Sequence, residues 1–200
     1  MAIVKKLALF ALFPLQALAG AGEAPLPGYK IVDLSWEVEV FPGKVENFTG
    51  TVEQVHHEVT TLNPQWEPPT INIDVESSTN EKRYTNWNAI NCGAGPWGWR
   101  PCKSIKIQDG INYLRGLSGR PSNGPGPGAC GRVSCSWNAA IWWCNDNPQT
   151  QTLYSWRDIA DGAQLILWKC QTGIGAQEKY VNGQAFAYDN WNVIVRKDDC

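Results

Sequence analysis

The first 91 residues of this 200-residue chain contain no cysteine, and all seven cysteines fall between Cys92 and Cys200. That absence excludes disulfide stapling of the front half and concentrates it in the back half. Histidine is scarce as well: His56 and His57 are the only two, and residues 84–200 hold none. Without histidine and without a C-x-x-C spacing, the back half lacks the ligand set of a zinc site. It also lacks the imidazole base of Cys or Ser nucleophilic catalysis. No metal and no cofactor is expected. His56 and His57 are adjacent, so on a helix they point in different directions and cannot share one ion. They read as solvated or core-flanking residues. Beyond the amino terminus no apolar run approaches the ~18 residues of a membrane-crossing helix, so no transmembrane segment is expected.

The amino terminus itself has the grammar of export. Lys5 and Lys6 precede a mostly apolar stretch, Leu7 to Leu18, and Ala17-Leu18-Ala19 is an A-x-A cleavage pattern, with Ala19-Gly20-Ala21 a close second. Residues 1–19 are therefore expected to be a signal peptide, with the protein secreted and extracellular. In that compartment the thiols read as a disulfide framework. A second processing signal is Lys82-Arg83, the only Lys-Arg pair, in the polar stretch SSTNEKRYTN. Charge divides near the same place. Residues 20–91 hold four Lys/Arg against eleven Asp/Glu, and residues 92–200 hold eleven against eight. An acidic leader beside a basic module suggests a mask or chaperone. The expected organisation is thus 1–19 signal peptide, 20–83 acidic pro-segment or N-terminal subdomain, and 84–200 cysteine-rich module.

Within the leader, KIVDLSWEVEVF (30–41) has strand chemistry, alternating apolar and acidic residues from Trp36 to Val40. Phe41-Pro42-Gly43-Lys44 is a turn. Thr51 with Gln54 fits a capping box, and Val52, Val55, Val59 and Leu62 recur at helical spacing until Asn63-Pro64. Asn47-Phe48-Thr49 is the only glycosylation sequon and marks Asn47 as a surface residue.

In the module, Lys103 to Leu117 predicts a helix with Ile107, Ile111 and Leu114 on one stripe. Cys130–Ser136 and Ala139–Asn145 predict a hairpin. Trp156 to Lys169 predicts a second helix, capped by Ser155 with Asp158 at its third position. Val181–Ala187 and Trp191–Arg196 predict the last strands, after a short strand end at Ala89–Cys92. The expected fold is α+β: a disulfide-stapled antiparallel sheet with two helices on one face, preceded by the cysteine-free β/α leader.

The run INC (90–92), a helix, ACGRVSC, IWWC, a long helix ending in Cys170 and a terminal GQAFAYDNWNVIVRKDDC resemble the killer-toxin-like family of small secreted fungal proteins. The resemblance covers about residues 90–200 and rests on the order of cysteines and elements. It implies a compact α/β sandwich and a toxin or effector role; some members carry more cysteines, and this chain is unusually rich in tryptophan.

Seven cysteines allow at most three internal bridges and leave one thiol over. Six already allow 15 pairings, and the spare could be any of Cys92, Cys102, Cys130, Cys135, Cys144, Cys170 and Cys200. Cys135 and Cys144 flank the expected hairpin turn and could face each other. The leftover thiol could join two chains in a dimer.

Candidate binding residues are Trp97 and Trp99, flanking Gly98 in GAGPWGWRPC. Their indoles either stack on a sugar ring or lipid interface, with Arg100 and Lys103 holding an anionic group, or cap the small core. Arg115, Arg120 and Arg132 surround the long glycine- and proline-rich loop and fit a target with acidic groups: a membrane protein, anionic lipid or glycan. Nucleic acid is not expected from so small a basic excess. The expected function is a secreted toxin or effector that binds a surface target without catalysis. Two alternatives stand: a cell-wall glycan-binding protein using Trp97 and Trp99, and a hydrolase using paired carboxylates drawn from Asp109, Asp146, Asp158, Asp161 and Asp189.

Overall fold

The computed structural model describes residues 23–68, 86–173 and 178–200. The expected signal peptide and the Lys82-Arg83 pair lie outside the described residues. In chain order the elements are β1 (Lys30–Ile31), β2 (Ser35–Phe41), β3 (Lys44–Thr49), α1 (Val52–Leu62), β4 (Trp87–Cys92), a single 3-10 turn at Gly95–Trp97, and β5 (Cys102–Lys103). There follow α2 (Ser104–Arg115), β6 (Ser122–Asn123), β7 (Ala129–Ser136), β8 (Ala139–Asn145), β9 (Gln151–Thr152), α3 (Trp156–Cys170), β10 (Tyr180–Val181), β11 (Gly183–Ala187) and β12 (Trp191–Lys197).

A six-stranded sheet runs β1-β7-β8-β12-β11-β4. It is antiparallel except where β1 joins β7 in parallel, Lys30 opposite Ala129 and Ile31 opposite Cys130. A four-stranded sheet, β3-β2-β6-β9, and the β5-β10 pair complete the strands. β8 is buried along its whole length, and its alternate residues divide between two clusters. Ile141 and Trp143 pack with Val193 and Val195 of β12 and with Ile107, Ile111, Ile159 and Ile166 of α2 and α3. Ala140, Trp142 and Cys144 pack with Ile194, Leu26 and Trp99. Both neighbouring tryptophans are therefore core, because the polypeptide covers both faces of the strand.

The leader shares this core. Leu34, Trp36, Val40, Phe48, Val52, Val55 and Val59 belong to the same cluster as the helices of the module. Trp36 stacks on Trp156 with centroids 3.5 Å apart and planes 10° apart. Leu34 fills the space a side chain would need at Gly131 in β7, so that position takes glycine. Glu53 of α1 accepts hydrogen bonds from Ser134 Oγ at 2.6 Å and from the Cys135 N–H at 3.1 Å, on an edge of β7 where no strand pairs among the described residues. The boundary suggested by cysteine and charge is thus not a boundary of the core: residues 23–68 have no separate interior.

Three disulfides form: Cys92–Cys170, Cys130–Cys144 and Cys135–Cys200. The expected facing of Cys135 and Cys144 is corrected by register. A two-residue turn at Trp137-Asn138, both at positive φ (52° and 58°), sets Ser136 opposite Ala139 and Cys135 opposite Ala140. A bulge between Arg132 and Ser134 then brings Cys130 opposite Cys144. The seventh cysteine, Cys102, is buried, its Sγ 3.4 Å from the Val181 carbonyl oxygen. The odd cysteine that could join two chains is therefore Cys102, and its thiol is buried in the folded chain.

Candidate functional site

A cleft of about 390 Å³ opens where the amino-terminal strap, the loop after β4 and the edge of the large sheet meet. Leu26, Pro27 and Tyr29 supply one wall; Gly95, Pro96 and Trp97 supply the other; Asn91, Gln184 and Phe186 form the strand side. Gly98 at φ 69° turns the chain between the two loop tryptophans and gives them different tasks. Trp97 is 48% exposed. Trp99 is buried, donates from Nε1 to the Pro25 carbonyl at 2.7 Å, and accepts on its own carbonyl from Asn182 Nδ2 at 2.7 Å. It anchors the strap. Of the two alternatives for this tryptophan pair, Trp99 takes the core one, while Trp97 stays exposed.

The strap is also tied down by Arg196, whose guanidinium donates to the Glu23 carbonyl at 2.9 Å, and by the parallel pairing of β1. Tyr29 packs its ring over Gly128. Burial, and then the nearby Asp146 carboxylate, push its phenol up to about 12, so it stays protonated as a donor at neutral pH. Gln184 is buried behind the cleft and donates from Nε2 to Asn192 Oδ1 at 3.0 Å; Asn192 in turn donates to Asp146 Oδ2 at 2.8 Å. That chain fixes the Gln184 carboxamide and leaves Oε1 as its remaining acceptor. Among the described residues that line it, none carries a charged side chain.

The expected basic residues do not join this cleft. Lys103 pairs with Glu178 at 2.7 Å and Arg115 with Asp161 at 2.9 Å. The hydrogen bond between Lys103 and Glu178 raises the Lys103 pKa and lowers that of Glu178. Lys103 and Arg115 lie at opposite ends of α2, about 18 Å apart at 1.5 Å per residue. Arg120 donates to the Leu153 carbonyl at 3.3 Å and sits over the Tyr154 ring. Arg132 donates to the Asp199 carbonyl at 3.0 Å and sits over Trp142. Arg100 is exposed, and its carbonyl accepts from the Lys197 N–H at 2.8 Å. Asn47 is exposed on β3.

Tyr29, Leu26, Pro27, Gln184 and Phe186 were not legible as site residues. They are separated by some 150 positions and meet because the strap before β1 is bonded to Trp99 and to Arg196 of β12, the strand beside β11. Among the described residues no three His, Cys, Asp or Glu side chains gather so as to hold a metal ion, and no helix is long and apolar enough to cross a membrane. Comparison with known proteins finds no matching family model and no significant match among curated proteins or solved structures.

Proposed function

We propose that this protein works outside the cell as a carbohydrate-binding protein, holding a neutral glycan against Trp97 without catalysis. The observation that carries this reading is the composition of the cleft: aromatic rings of Trp97, Tyr29 and Phe186, carboxamides of Asn91 and Gln184, and no charged side chain among the described lining residues. A pyranose presents an apolar C–H face and a rim of hydroxyls, which matches a ring platform flanked by amides. Three disulfides fit an oxidising compartment. An anionic target has less support, since Lys103 and Arg115 are each paired with a carboxylate. The killer-toxin-like resemblance adds a setting: a secreted effector whose surface target is a cell-wall glycan.

The test is depletion of the secreted protein by insoluble polysaccharides. Neutral glucans, mannans or chitin are expected to retain it, uronate polymers are not, and Trp97→Ala is expected to weaken retention about tenfold. Retention by uronate polymers alone, or by neutral ones undiminished in a folded Trp97→Ala protein, would overturn the reading.

A further inference from the structure

A second recess, of about 270 Å³, lies between α1 and α2 above the end of β7, and shares no lining residue with the Trp97 cleft. The leader supplies Glu53 and His56; the module supplies Lys106, Asp109 and Tyr113. At one end the Lys106 ammonium sits between the Asp109 carboxylate, at 3.0 Å, and the Trp137 ring, 5.5 Å from its centroid. Trp137 stands 76% exposed at the hairpin tip in the left-handed region, at φ 52°, where a large side chain is uncommon. This end is an internal example of a cation held by a carboxylate and an aromatic face.

The other end brings a carboxylate and two rings, those of Glu53, His56 and Tyr113, to the same recess. The Glu53 carboxylate is oriented by neutral donors, Ser134 Oγ and the Cys135 N–H. Among the described residues no cation lies within ion-pair distance of it. A carboxylate offers about four acceptor positions, and Oε2 receives only a share of one N–H. The rings of His56 and Tyr113 stand beside each other, 5.8 Å between centroids and edge-on, with Trp66 5.7 Å beyond His56. Burial and then the field of Glu53 push the Tyr113 phenol up to about 12.

We infer that this recess is a binding site for a guanidinium group, an arginine side chain of a basic partner segment, paired with Glu53 and laid against Tyr113 and His56. The volume suits one side chain, not a folded element. A planar fork matches a fixed carboxylate next to rings better than a hydrated ammonium does. The two halves of the chain build the site together, so it exists only while leader and module stay associated.

The experiment is a nuclear magnetic resonance titration of the whole protein with acetyl-Gly-Arg-Gly-amide, with the Gly-Ala-Gly and Gly-Lys-Gly peptides as controls. Saturable shifts of the His56 and Tyr113 ring signals are expected with the arginine peptide, weaker ones with lysine and none with alanine. Glu53→Gln, which keeps the oxygen that accepts from Ser134 and Cys135, is expected to weaken binding about tenfold. Trp97→Ala is expected to leave it unchanged, which separates this site from the glycan cleft. Equal shifts with the alanine peptide, no saturable shift, or unchanged affinity in folded Glu53→Gln would overturn the assignment. Should Glu53→Gln fail to fold, Tyr113→Leu takes its place: it is expected to weaken binding several-fold, and unchanged affinity would refute the site.

Discussion

Cys102 is the residue at which charge, burial and redox chemistry meet. Burial pushes its thiol from the ordinary 9.0 up to about 12, so it is neither nucleophilic nor accessible at neutral pH. Native protein is expected to take up no alkylating reagent, and unfolded, unreduced protein one equivalent per chain. The same shift sets an alkaline limit. Below pH 9 the thiol is protonated whether folded or unfolded, and its contribution to stability is complete. Above pH 9 the unfolded chain releases the proton while the folded chain retains it until about 12, so stability falls across that window. The expected slope from this group is at most about 1.4 kcal/mol per pH unit. Denaturant titrations at pH 8.5 and 10.5 check it: Cys102→Ala should reduce the drop, and an unaltered drop would assign it elsewhere, with Tyr29 and Tyr113 next in line.

At the scale of elements, what was legible followed from local chemistry. The capping box at Thr51 and Gln54 forms as read, with Gln54 Oε1 accepting from the Thr51 N–H at 2.8 Å, and Ser155 with Asp158 does the same for α3. The hairpin strands Cys130–Ser136 and Ala139–Asn145 were legible to within a residue. The cystine pairing was not: the turn at Trp137-Asn138 sets Cys135 opposite Ala140, and a bulge near Val133 that no residue pattern marks brings Cys130 opposite Cys144. Two-residue strands such as β5, β6, β9 and β10 are too short to carry a periodicity, so they too were invisible. Peptide mapping under non-reducing conditions should recover Cys92–Cys170, Cys130–Cys144 and Cys135–Cys200; a Cys135–Cys144 peptide would refute the register. Trp36→Ala is expected to cost ~3–5 kcal/mol, the range for deleting a buried aromatic ring, because it removes the stack on Trp156 and the Nε1 bond to the Gly50 carbonyl. A loss under 1 kcal/mol by denaturant titration would mean that the leader does not share the core.

For the whole molecule, the contrast of an acidic front and a basic back suggested an electrostatic mask, yet the joint is mostly apolar. Leu34, Trp36 and the valines of α1 enter the core, and the one prominent acidic contact, Glu53, serves neutral donors on β7. Charge counts could not show this, since a buried apolar stripe contributes nothing to them. A nick after Arg83 is therefore expected to leave the two pieces associated through size-exclusion chromatography, parting only in denaturant, because no disulfide joins residues 23–68 to the rest. Parting in native buffer would contradict a common core. The same association places the strap, Leu26 to Tyr29, opposite Trp97 and so completes the cleft.

The most direct measurement is a resonance-by-resonance titration of the intact protein with a neutral oligosaccharide and, in parallel, with an oligouronate. Saturable shifts confined to the Trp97 indole, the Asn91 and Gln184 carboxamides and Tyr29 are the predicted result, with the neutral sugar alone. Shifts centred on Lys103, Arg115 or Arg132, or none around Trp97, would contradict it.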